Sequence, residues 1–211
     1  MEINKCIEHT CLKQDASEDE IKKLAQEAIE HNFLGICVNP DYVKFAKEIL
    51  KNTNVKLVTV VNFPLGKAGG KITAQQAKEA IDNGADEIDT VINVSDIKNK
   101  KWDKIKEEIK EIKASCKDKI LKVILETDLL TQDEIKISTE TIKEAGADCA
   151  KTSTGFVKNG VGAKVEDVKI MKAAGIMVKA SGGIKTKEQA LKLIEAGADR
   201  LGTSSGCELI K

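Results

Sequence analysis

Short apolar runs, often rich in β-branched residues, alternate along the chain with segments whose apolar residues recur at helical spacing. Such runs predict buried strands, and apolar positions three and four residues apart predict amphipathic helices. The runs predict eight strands, at 6–12, 35–38, 56–62, 87–93, 121–127, 149–152, 176–180 and 200–203. The amphipathic segments predict seven helices, at 18–30, 42–50, 73–82, 104–116, 132–144, 165–173 and 187–195.

Regular alternation of strands and helices requires parallel strands joined by crossover connections. Eight such units in one chain of 211 residues predict a (β/α)₈ TIM barrel formed by a single domain, residues 1–211. Residues 204–211 follow the last strand and are too few for a full eighth helix. A doubly wound open sheet remains an alternative, because the periodicity does not reveal whether the sheet closes.

Three of the predicted helices end in closely similar tetrapeptides, each containing Gly-Ala-Asp: residues 83–86, 145–148 and 196–199. The glycine suits the left-handed residue that commonly ends a helix, and the next strand begins at once. One αβ joint that recurs at alternate units is what a closed barrel is expected to show.

Two lysines stand at the ends of successive predicted strands, each followed by small residues. Lys151 opens Lys-Thr-Ser-Thr-Gly-Phe, and Lys179 opens Lys-Ala-Ser-Gly-Gly. Catalytic groups of TIM barrels lie at these strand ends. An ammonium about 6 Å from a second amine disfavours its charge by about 3 kcal/mol at an effective dielectric constant near 20. Either lysine alone is more simply a surface residue, but the pair predicts an amine nucleophile activated by its neighbour.

Asp89 lies in the middle of a predicted strand, on the same face as Glu87 and Val91. Both faces of a parallel barrel strand are covered, so a carboxylate there needs a partner. The two lysines are the expected partners, whether Asp89 serves structure or catalysis.

Glycine-rich loops follow the last two predicted strands, at Gly182-Gly183 and at Gly202-Thr203-Ser204-Ser205-Gly206. Loops after strands seven and eight bind phosphate in many TIM barrels, through backbone amides and hydroxyl groups. Each loop alone is most simply a connector, whereas the two together predict a phosphate site.

Composition narrows the functional classes further. The 34 basic and 34 acidic residues give no net charge, which argues against nucleic acid and anionic membranes as partners. The six cysteines form no Cys-x-x-Cys motif and have no histidine at metal-ligand spacing. With no signal peptide and no long apolar run, we expect a reduced, cytoplasmic protein without a metal or other cofactor.

The motifs in their order along the chain resemble deoxyribose-phosphate aldolase, a family of Schiff-base aldolases. The resemblance covers almost the whole chain. It is carried by Glu-His-Thr at 8–10, Asn-Phe-Pro-Leu-Gly at 62–66, Asp-Glu-Ile-Asp at 86–89, Leu-Glu-Thr at 125–127, both lysine motifs and the loop at 202–206. It implies a (β/α)₈ fold and reversible cleavage of 2-deoxy-D-ribose 5-phosphate to D-glyceraldehyde 3-phosphate and acetaldehyde.

The resemblance also implies roles for individual residues. Lys151 forms the Schiff base, Lys179 lowers the pKa of Lys151 and helps to move protons, and Asp89 donates and accepts protons. An iminium absorbs the charge left by carbon–carbon cleavage, so the reaction needs no metal. The expected substrate-binding residues are Thr10, Cys37, Thr152, Thr154, Gly155, Gly182, Gly183, Gly202, Ser204 and Ser205.

Three departures from the family pattern stand out. Glu8 occupies a position where the family commonly has aspartate, Phe156 replaces a lysine found in some members, and no tyrosine follows the final strand as it does in some relatives. We expect a small phosphorylated sugar and acetaldehyde as partners, and a homo-oligomer, dimer or tetramer. A Schiff-base aldolase for another phosphorylated sugar and a non-catalytic sugar-phosphate binding barrel remain alternatives.

Overall fold

The computed structural model describes residues 2–211, in which eight parallel strands alternate with helices. The strands are β1 (Ile7–Cys11), β2 (Gly35–Val38), β3 (Lys56–Val61), β4 (Glu87–Val91), β5 (Ile120–Ile124), β6 (Cys149–Lys151), β7 (Met177–Ser181) and β8 (Arg200–Thr203). The helices are α1 (Glu18–Glu30), α2 (Val43–Ile49), α3 (Gly70–Asp82), α4 (Val94–Lys98), α5 (Trp102–Cys116), α6 (Gln132–Glu144), α7 (Val165–Ala173), α8 (Lys187–Glu195) and α9 (Gly206–Leu209).

Each strand pairs with its neighbour in sequence, and β8 pairs with β1 to close the barrel. Closure confirms the predicted (β/α)₈ fold and excludes the open doubly wound sheet. Three helices begin at capping boxes, formed by Ser17 with Glu20, Thr131 with Glu134 and Thr186 with Gln189. These caps satisfy the free amides of the first helical turn, so α1, α6 and α8 begin at the predicted residues.

Five predicted strands, those ending at 12, 62, 93, 127 and 152, run past the observed ends of β1, β3, β4, β5 and β6, and after β3 and β5 the backbone turns earlier than the apolar pattern does. Asn62 and Glu126 adopt left-handed conformations, with φ of 51° and 61°. These residues direct the chain away from the sheet after β3 and β5. Leu125 lies just after β5 and is fully buried, so its apolar side chain extended the predicted strand although its backbone lies outside the sheet. The short helix α4 was not predicted, since five residues are too few for a helical period to be recognised. The four-residue helix α9 is the truncated final helix expected after the last strand.

The apolar core has two parts. The larger part fills the space between the barrel and the surrounding helices. A separate small cluster of Cys37, Val58 and Val60 lies on β2 and β3, with Leu12 and Phe63 packed against it. The β2–β3 side of the barrel interior is therefore apolar, whereas charged side chains occupy the rest.

The three Gly-Ala-Asp joints build the same structure at the amino end of the barrel. In each joint the aspartate amide donates to a carbonyl of the preceding strand, and the aspartate side chain accepts from the amide of the same strand residue. A lysine from the helix before that strand also pairs with the aspartate. We call these groups the amino-end clamps: Lys47–Leu57–Asp86, Lys113–Leu121–Asp148 and Lys172–Val178–Asp199.

The clamps also explain why two of the joints need glycine. Gly84 and Gly197 have φ of 112° and 110°, a conformation that side chains disfavour. A Cβ atom at Gly84 would lie 2.8 Å from Lys47 Cγ, and one at Gly197 would lie 2.7 Å from Lys172 Cγ. The absent side chain therefore leaves room for the lysine stem to reach its aspartate.

Within residues 2–211, no helix is both long enough and apolar enough to cross a membrane.

Candidate active site

Seven charged side chains meet inside the barrel, and all belong to buried residues. We call this group the interior ion cluster. Its carboxylates are Glu8, Glu87 and Asp89, and its cations are Lys122, Lys151, Lys179 and Arg200. They come from β1, β4, β5, β6, β7 and β8.

Strand register explains why these side chains meet. Asp89 lies beside Lys122 across β4 and β5, and Lys151 lies beside Lys179 across β6 and β7. Arg200 follows as the neighbour of Lys179 on β8. Because alternate residues of a barrel strand face the interior, matched positions on adjacent strands bring their side chains together.

Asp89 is the centre of one half of the cluster and contacts three lysines. Its Oδ1 accepts from Lys122 Nζ at 2.9 Å. Its Oδ2 accepts from Lys151 Nζ at 2.8 Å and from Lys179 Nζ at 2.7 Å. Since both amines contact one oxygen, their Nζ atoms lie within about 6 Å of each other, the range in which charges strongly influence one another.

Glu8 and Glu87 organise the other half. Glu8 accepts a hydrogen bond from Lys179, and its other oxygen lies 3.0 Å from Arg200 and 3.5 Å from Lys122. Arg200 also donates to Glu87, which lies 2.6 Å from Lys122. The extra methylene of Glu8, noted as a departure from the family pattern, thus belongs to a side chain that joins Lys179 to Arg200.

The pairing determines the charge states. Burial opposes ionisation of Glu8, but Lys122 and Lys179 outweigh it and lower its pKa to about 2. Burial is likewise outweighed at Asp89, whose pKa its lysine neighbours hold well below its ordinary value. At Lys179 burial is outweighed by Asp89 and Glu8, so the pKa of Lys179 lies well above its ordinary value. Lys179 is therefore a persistent cation.

Access to solvent distinguishes the two catalytic lysine candidates. Lys151 lines a cavity of about 790 Å³ at the carboxyl end of the barrel. Lys179 is fully buried and is not among the residues that line this cavity. Of the two amines, Lys151 is thus the one that a molecule in the cavity can reach.

The cavity collects most of the binding residues expected from the sequence. Its lining includes Thr10, Thr154, Gly155, Gly182, Gly183, Gly202 and Ser204. Gly202 also makes room for Lys179, since a Cβ atom there would lie 2.9 Å from Lys179 Cε. The binding roles of these residues remain predictions.

Three expected binding residues lie outside the cavity. Cys37 is buried on β2, in the apolar side of the barrel interior. Thr152 is buried, and its hydroxyl joins the backbone of Ser181 by accepting from the amide and donating to the carbonyl. Ser205 lines a different cavity, beside α1. Burial and backbone bonding give Cys37 and Thr152 structural surroundings, and any contact of the three with substrate remains a prediction.

Two acids near the end of β5 hold the loop that covers one side of the cavity. Glu126 accepts from both the amide and the hydroxyl of Thr154. Asp128 accepts from the amide of Gly162 at 2.7 Å. The loop is therefore fixed at two points, which positions Thr154 and Gly155 in the cavity wall. Sequence reasoning did not assign a role to either acid.

Positive charge at the cavity comes from residues that were not predicted. Lys13 and Lys185 both line it, although Lys13 is paired with Glu20 at 2.6 Å. Phe156, which replaces a lysine of some relatives, lines the same cavity and packs edge-on against Phe63. The cavity thus keeps basic side chains despite the phenylalanine.

Sequence reasoning also missed Lys122, Glu87 and Arg200 as members of the site. Lys122 is a charged residue in the middle of an apolar strand, the same signal that identified Asp89, and the strand-face argument applied to β5 would have found it. Glu87 and Arg200 instead open β4 and β8 directly after an aspartate, so they give no such signal.

A second cavity, of about 710 Å³, lies beside β2 and β3. Its lining includes Asn39, Lys44, Asn62, Phe63 and Gln76, and no member of the interior ion cluster. The cavity with Lys151 is the candidate active site, because it joins an accessible amine to the buried interior ion cluster.

Comparison with known proteins identifies the family. The family model described as DeoC/LacD family aldolase matches residues 7–209. This chain belongs to the DeoC/LacD aldolase family. It is therefore an aldolase, and the reaction class predicted from the sequence, a carbon–carbon lyase, is confirmed.

Individual relatives are similar over the whole chain. Deoxyribose-phosphate aldolase of Finegoldia magna is 50% identical, with all of both chains covered. Deoxyribose-phosphate aldolase 1 of Mesoplasma florum is 48% identical, covering all of this chain and 96% of the relative. A tetrameric deoxyribose phosphate aldolase structure from Aeropyrum pernix is 30% identical with a TM-score of 0.90, covering 99% of this chain and 89% of the other.

Proposed function

We propose that this aldolase reversibly cleaves 2-deoxy-D-ribose 5-phosphate to D-glyceraldehyde 3-phosphate and acetaldehyde through a Schiff base on Lys151. One observation carries the assignment of the nucleophile: Lys151 lines the cavity while its amine contacts Asp89, and Lys179 lies buried behind it. The full-length similarity to named deoxyribose-phosphate aldolases supports the substrate.

The charge balance of the cluster favours an uncharged amine. Three carboxylates face four cationic side chains, so the fully ionised cluster carries one excess positive charge. Lys122, Lys179 and Arg200 all have pKa values above their ordinary values, because their carboxylate partners outweigh burial. Attack on a carbonyl requires an uncharged amine, and Lys151 is the amine of the cluster that lines the cavity.

Neutral Lys151 then attacks C1 of the open-chain sugar, and loss of water gives the iminium. The C2–C3 bond breaks, its electron pair moves to C2 and forms an enamine, and the C3 hydroxyl loses its proton to become the aldehyde of glyceraldehyde 3-phosphate. Protonation of C2 and hydrolysis of the iminium release acetaldehyde and restore Lys151. The iminium accepts the electrons that would otherwise form a carbanion.

Asp89 and Lys179 are suited to move these protons. Asp89 Oδ2 contacts both Lys151 and Lys179, so one oxygen joins the nucleophile to the persistent cation. Asp89 is fully buried, and its path to the substrate therefore runs along Lys151 or through water in the cavity. We propose that this pair returns the proton of the C3 hydroxyl to C2 of the enamine.

The glycine-rich part of the cavity lining suits the 5-phosphate. Gly155, Gly182 and Gly183 all have positive φ and line the cavity, where exposed backbone amides bind oxyanions well. Lys185 adds a positive charge at the same cavity. The phosphate, far from C1, would use its binding energy to position the reacting carbons.

Borohydride reduction tests the nucleophile. Treatment with acetaldehyde and borohydride should leave an ethyl group on the peptide that contains Lys151. The Lys179→Arg variant keeps a cation beside Asp89 and should still be labelled at Lys151. Labelling mainly at Lys179 would reverse the assignment, and absence of any label would exclude a Schiff base.

Substrate comparison tests the sugar. We expect 2-deoxyribose 5-phosphate to give the highest kcat/KM, and unphosphorylated deoxyribose to lose kcat as well as affinity. A higher kcat/KM for another phosphorylated sugar would favour the alternative Schiff-base aldolase.

The remaining assignments are also proposals. We propose one aldolase domain over residues 1–211 and a homo-oligomer, which the tetrameric relative of Aeropyrum pernix makes reasonable. A cytoplasmic location stays a prediction from the cysteines, all six of which are free thiols.

A further inference from the structure

Three side chains of different chemistry converge on the outer side of β1, away from the interior ion cluster. His9 comes from β1, Glu27 from α1 and Cys207 from α9. One ligand atom from each, a ring nitrogen, a carboxylate oxygen and a sulfur, lies within 4.8 Å of the other two. Separations of 18 and 180 residues hid this group from the search for metal-ligand spacing in the sequence.

The surroundings of the His9 ring are unusual, because oxygen atoms face both of its nitrogens. Nδ1 lies 3.4 Å from the carbonyl oxygen of Thr203, and Nε2 lies 2.9 Å from Glu27 Oε2. A neutral imidazole donates only one hydrogen bond. In the tautomer whose Nδ1–H donates to the carbonyl, the lone pair of Nε2 points toward the Glu27 carboxylate, and a metal cation between them would be a ligand partner for both groups.

This arrangement is typical of a metal-bound histidine, in which one nitrogen donates to a backbone carbonyl and fixes the other as the ligand. Nitrogen, thiolate and carboxylate donors together favour zinc, which takes three protein ligands and one water in open sites. Tetrahedral zinc places its donor atoms about 3.3–3.8 Å apart, so small side-chain adjustments suffice. We propose that His9, Glu27 and Cys207 form a zinc site that serves stability and not the aldol reaction.

A cavity opens onto the three side chains, and the backbone of α9 comes close to the His9 ring. His9, Glu27 and Cys207 line a cavity of about 340 Å³, which provides room for a water ligand. A Cβ atom at Gly206 would lie 2.9 Å from His9 Nδ1, so glycine allows α9 to come close to the ring. Burial and Glu27 raise the pKa of the Cys207 thiol, and zinc must therefore displace its proton on binding.

Zinc at this position would join three separate elements. It would hold α9 against β1 and α1, and α9 directly follows Ser204 and Ser205 at the carboxyl end of β8. The metal would thus restrain the end of the chain beside the substrate cavity without touching Lys151.

Titration of the chelator-treated protein with Co²⁺ and then Zn²⁺ tests the site. We expect one Co²⁺ per chain, with the near-ultraviolet charge-transfer band of a cobalt thiolate, and displacement of cobalt by zinc. Cys207→Ser should lose the band, and His9→Asn and Glu27→Gln should weaken zinc binding about one hundredfold or more. Zinc should raise the Tm of the unmodified chain but not that of Cys207→Ser.

Two matched variants serve as controls. Cys11→Ser removes the other thiol that lines the same cavity, and His31→Asn removes the only other histidine. Both variants should bind metal as the unmodified chain does. Chelation should leave the turnover of the unmodified chain unchanged. Cobalt binding without the thiolate band, an equal loss in either control, or no binding at micromolar metal would overturn the proposal. Glu27→Gln preserves the shape of a partly exposed residue, so it tests the ligand even if a core variant fails to fold.

Discussion

At the amino end of the barrel each clamp pairs one aspartate with one lysine, and both side chains stay partly exposed to solvent. Inside the barrel, three carboxylates and four cations share their contacts and are buried. The same functional groups thus serve two purposes. Burial and shared partners strengthen the charge–charge interactions of the cluster, so a change at one side chain affects the charge states of the others. The clamps are separate and solvated, so their ion pairs are weak and they serve only to hold the backbone together.

The largest contrast should appear in turnover. Lys151→Met removes the nucleophile and should abolish cleavage of 2-deoxyribose 5-phosphate, while Asp89 keeps Lys122 and Lys179 as partners and the fold is retained. Lys113→Met removes a lysine of the clamps and should leave kcat unchanged. A coupled assay for glyceraldehyde 3-phosphate, with circular dichroism for folding, measures both. Turnover of folded Lys151→Met comparable to that of Lys113→Met would break the contrast.

The next largest effect concerns stability of the cluster. Glu87→Gln and Arg200→Met each leave a buried partner charge unmatched and should each cost about 3–5 kcal/mol. The double variant should cost much less than the sum, since neither charge is then left alone. Urea unfolding of the four proteins gives the coupling free energy. Additive costs would mean that these two residues do not act as one network.

Acid should unfold the protein through the cluster. The pKa of Glu8 is about 2 in the folded protein against an ordinary 4.5, so its contribution is fully present above pH 4.5 and is lost as the pH falls toward 2. Glu8 alone should account for about 3 kcal/mol over this window, at 1.36 kcal/mol per pKa unit. Asp89 is shifted in the same direction and adds to the loss.

Urea unfolding at several pH values measures this effect, and the Glu8→Gln variant is the control, since it lacks the titrating group. Its unfolding free energy should depend less on pH between 4.5 and 2. An identical pH dependence in the control would assign the acid sensitivity elsewhere.

The smallest effects belong to the clamps. Asp148→Ala removes the acceptor for the Leu121 amide and should cost about 2 kcal/mol, the value of a hydrogen bond to a charged group. Asp148→Asn keeps an oxygen for that amide and should cost less. Asp86→Ala and Asp199→Ala should behave alike, and pairs of these changes should add, because different clamps share no partner. Strong coupling between two clamps, seen in thermal unfolding, would contradict the comparison.

The sequence predicted the eight strand–helix units and the three central residues of the candidate site, while closure of the sheet came from the structure. Strand and helix periods identified the barrel units, and unusual lysines at strand ends identified Lys151 and Lys179. Asp89 followed from the cost of a carboxylate inside a covered strand. These signals are local, so they can be read without knowledge of the fold.

The residues and strand ends that were not predicted depend on strand register, helix packing and backbone turns. Arg200, the first residue of its strand, resembles an ordinary surface residue until strand register places it beside Lys179. The group of His9, Glu27 and Cys207 forms only when β1, α1 and α9 pack together. The early ends of β3 and β5 follow from left-handed residues at Asn62 and Glu126, a conformation that neither residue type demands.

The arrangement of the clamps also divides the chain into exchangeable parts. Each clamp joins a helix, the strand after it and the next strand, which gives three units of two strands: α2 to β4, α5 to β6 and α7 to β8. Joining related aldolases in the connections before α2, before α5 or before α7 keeps all three clamps whole, whereas a junction inside a unit separates a lysine from its aspartate. Chimaeras of this family should therefore recombine best as pairs of strands, a rule for library design that the amino end of the barrel sets independently of the catalytic residues.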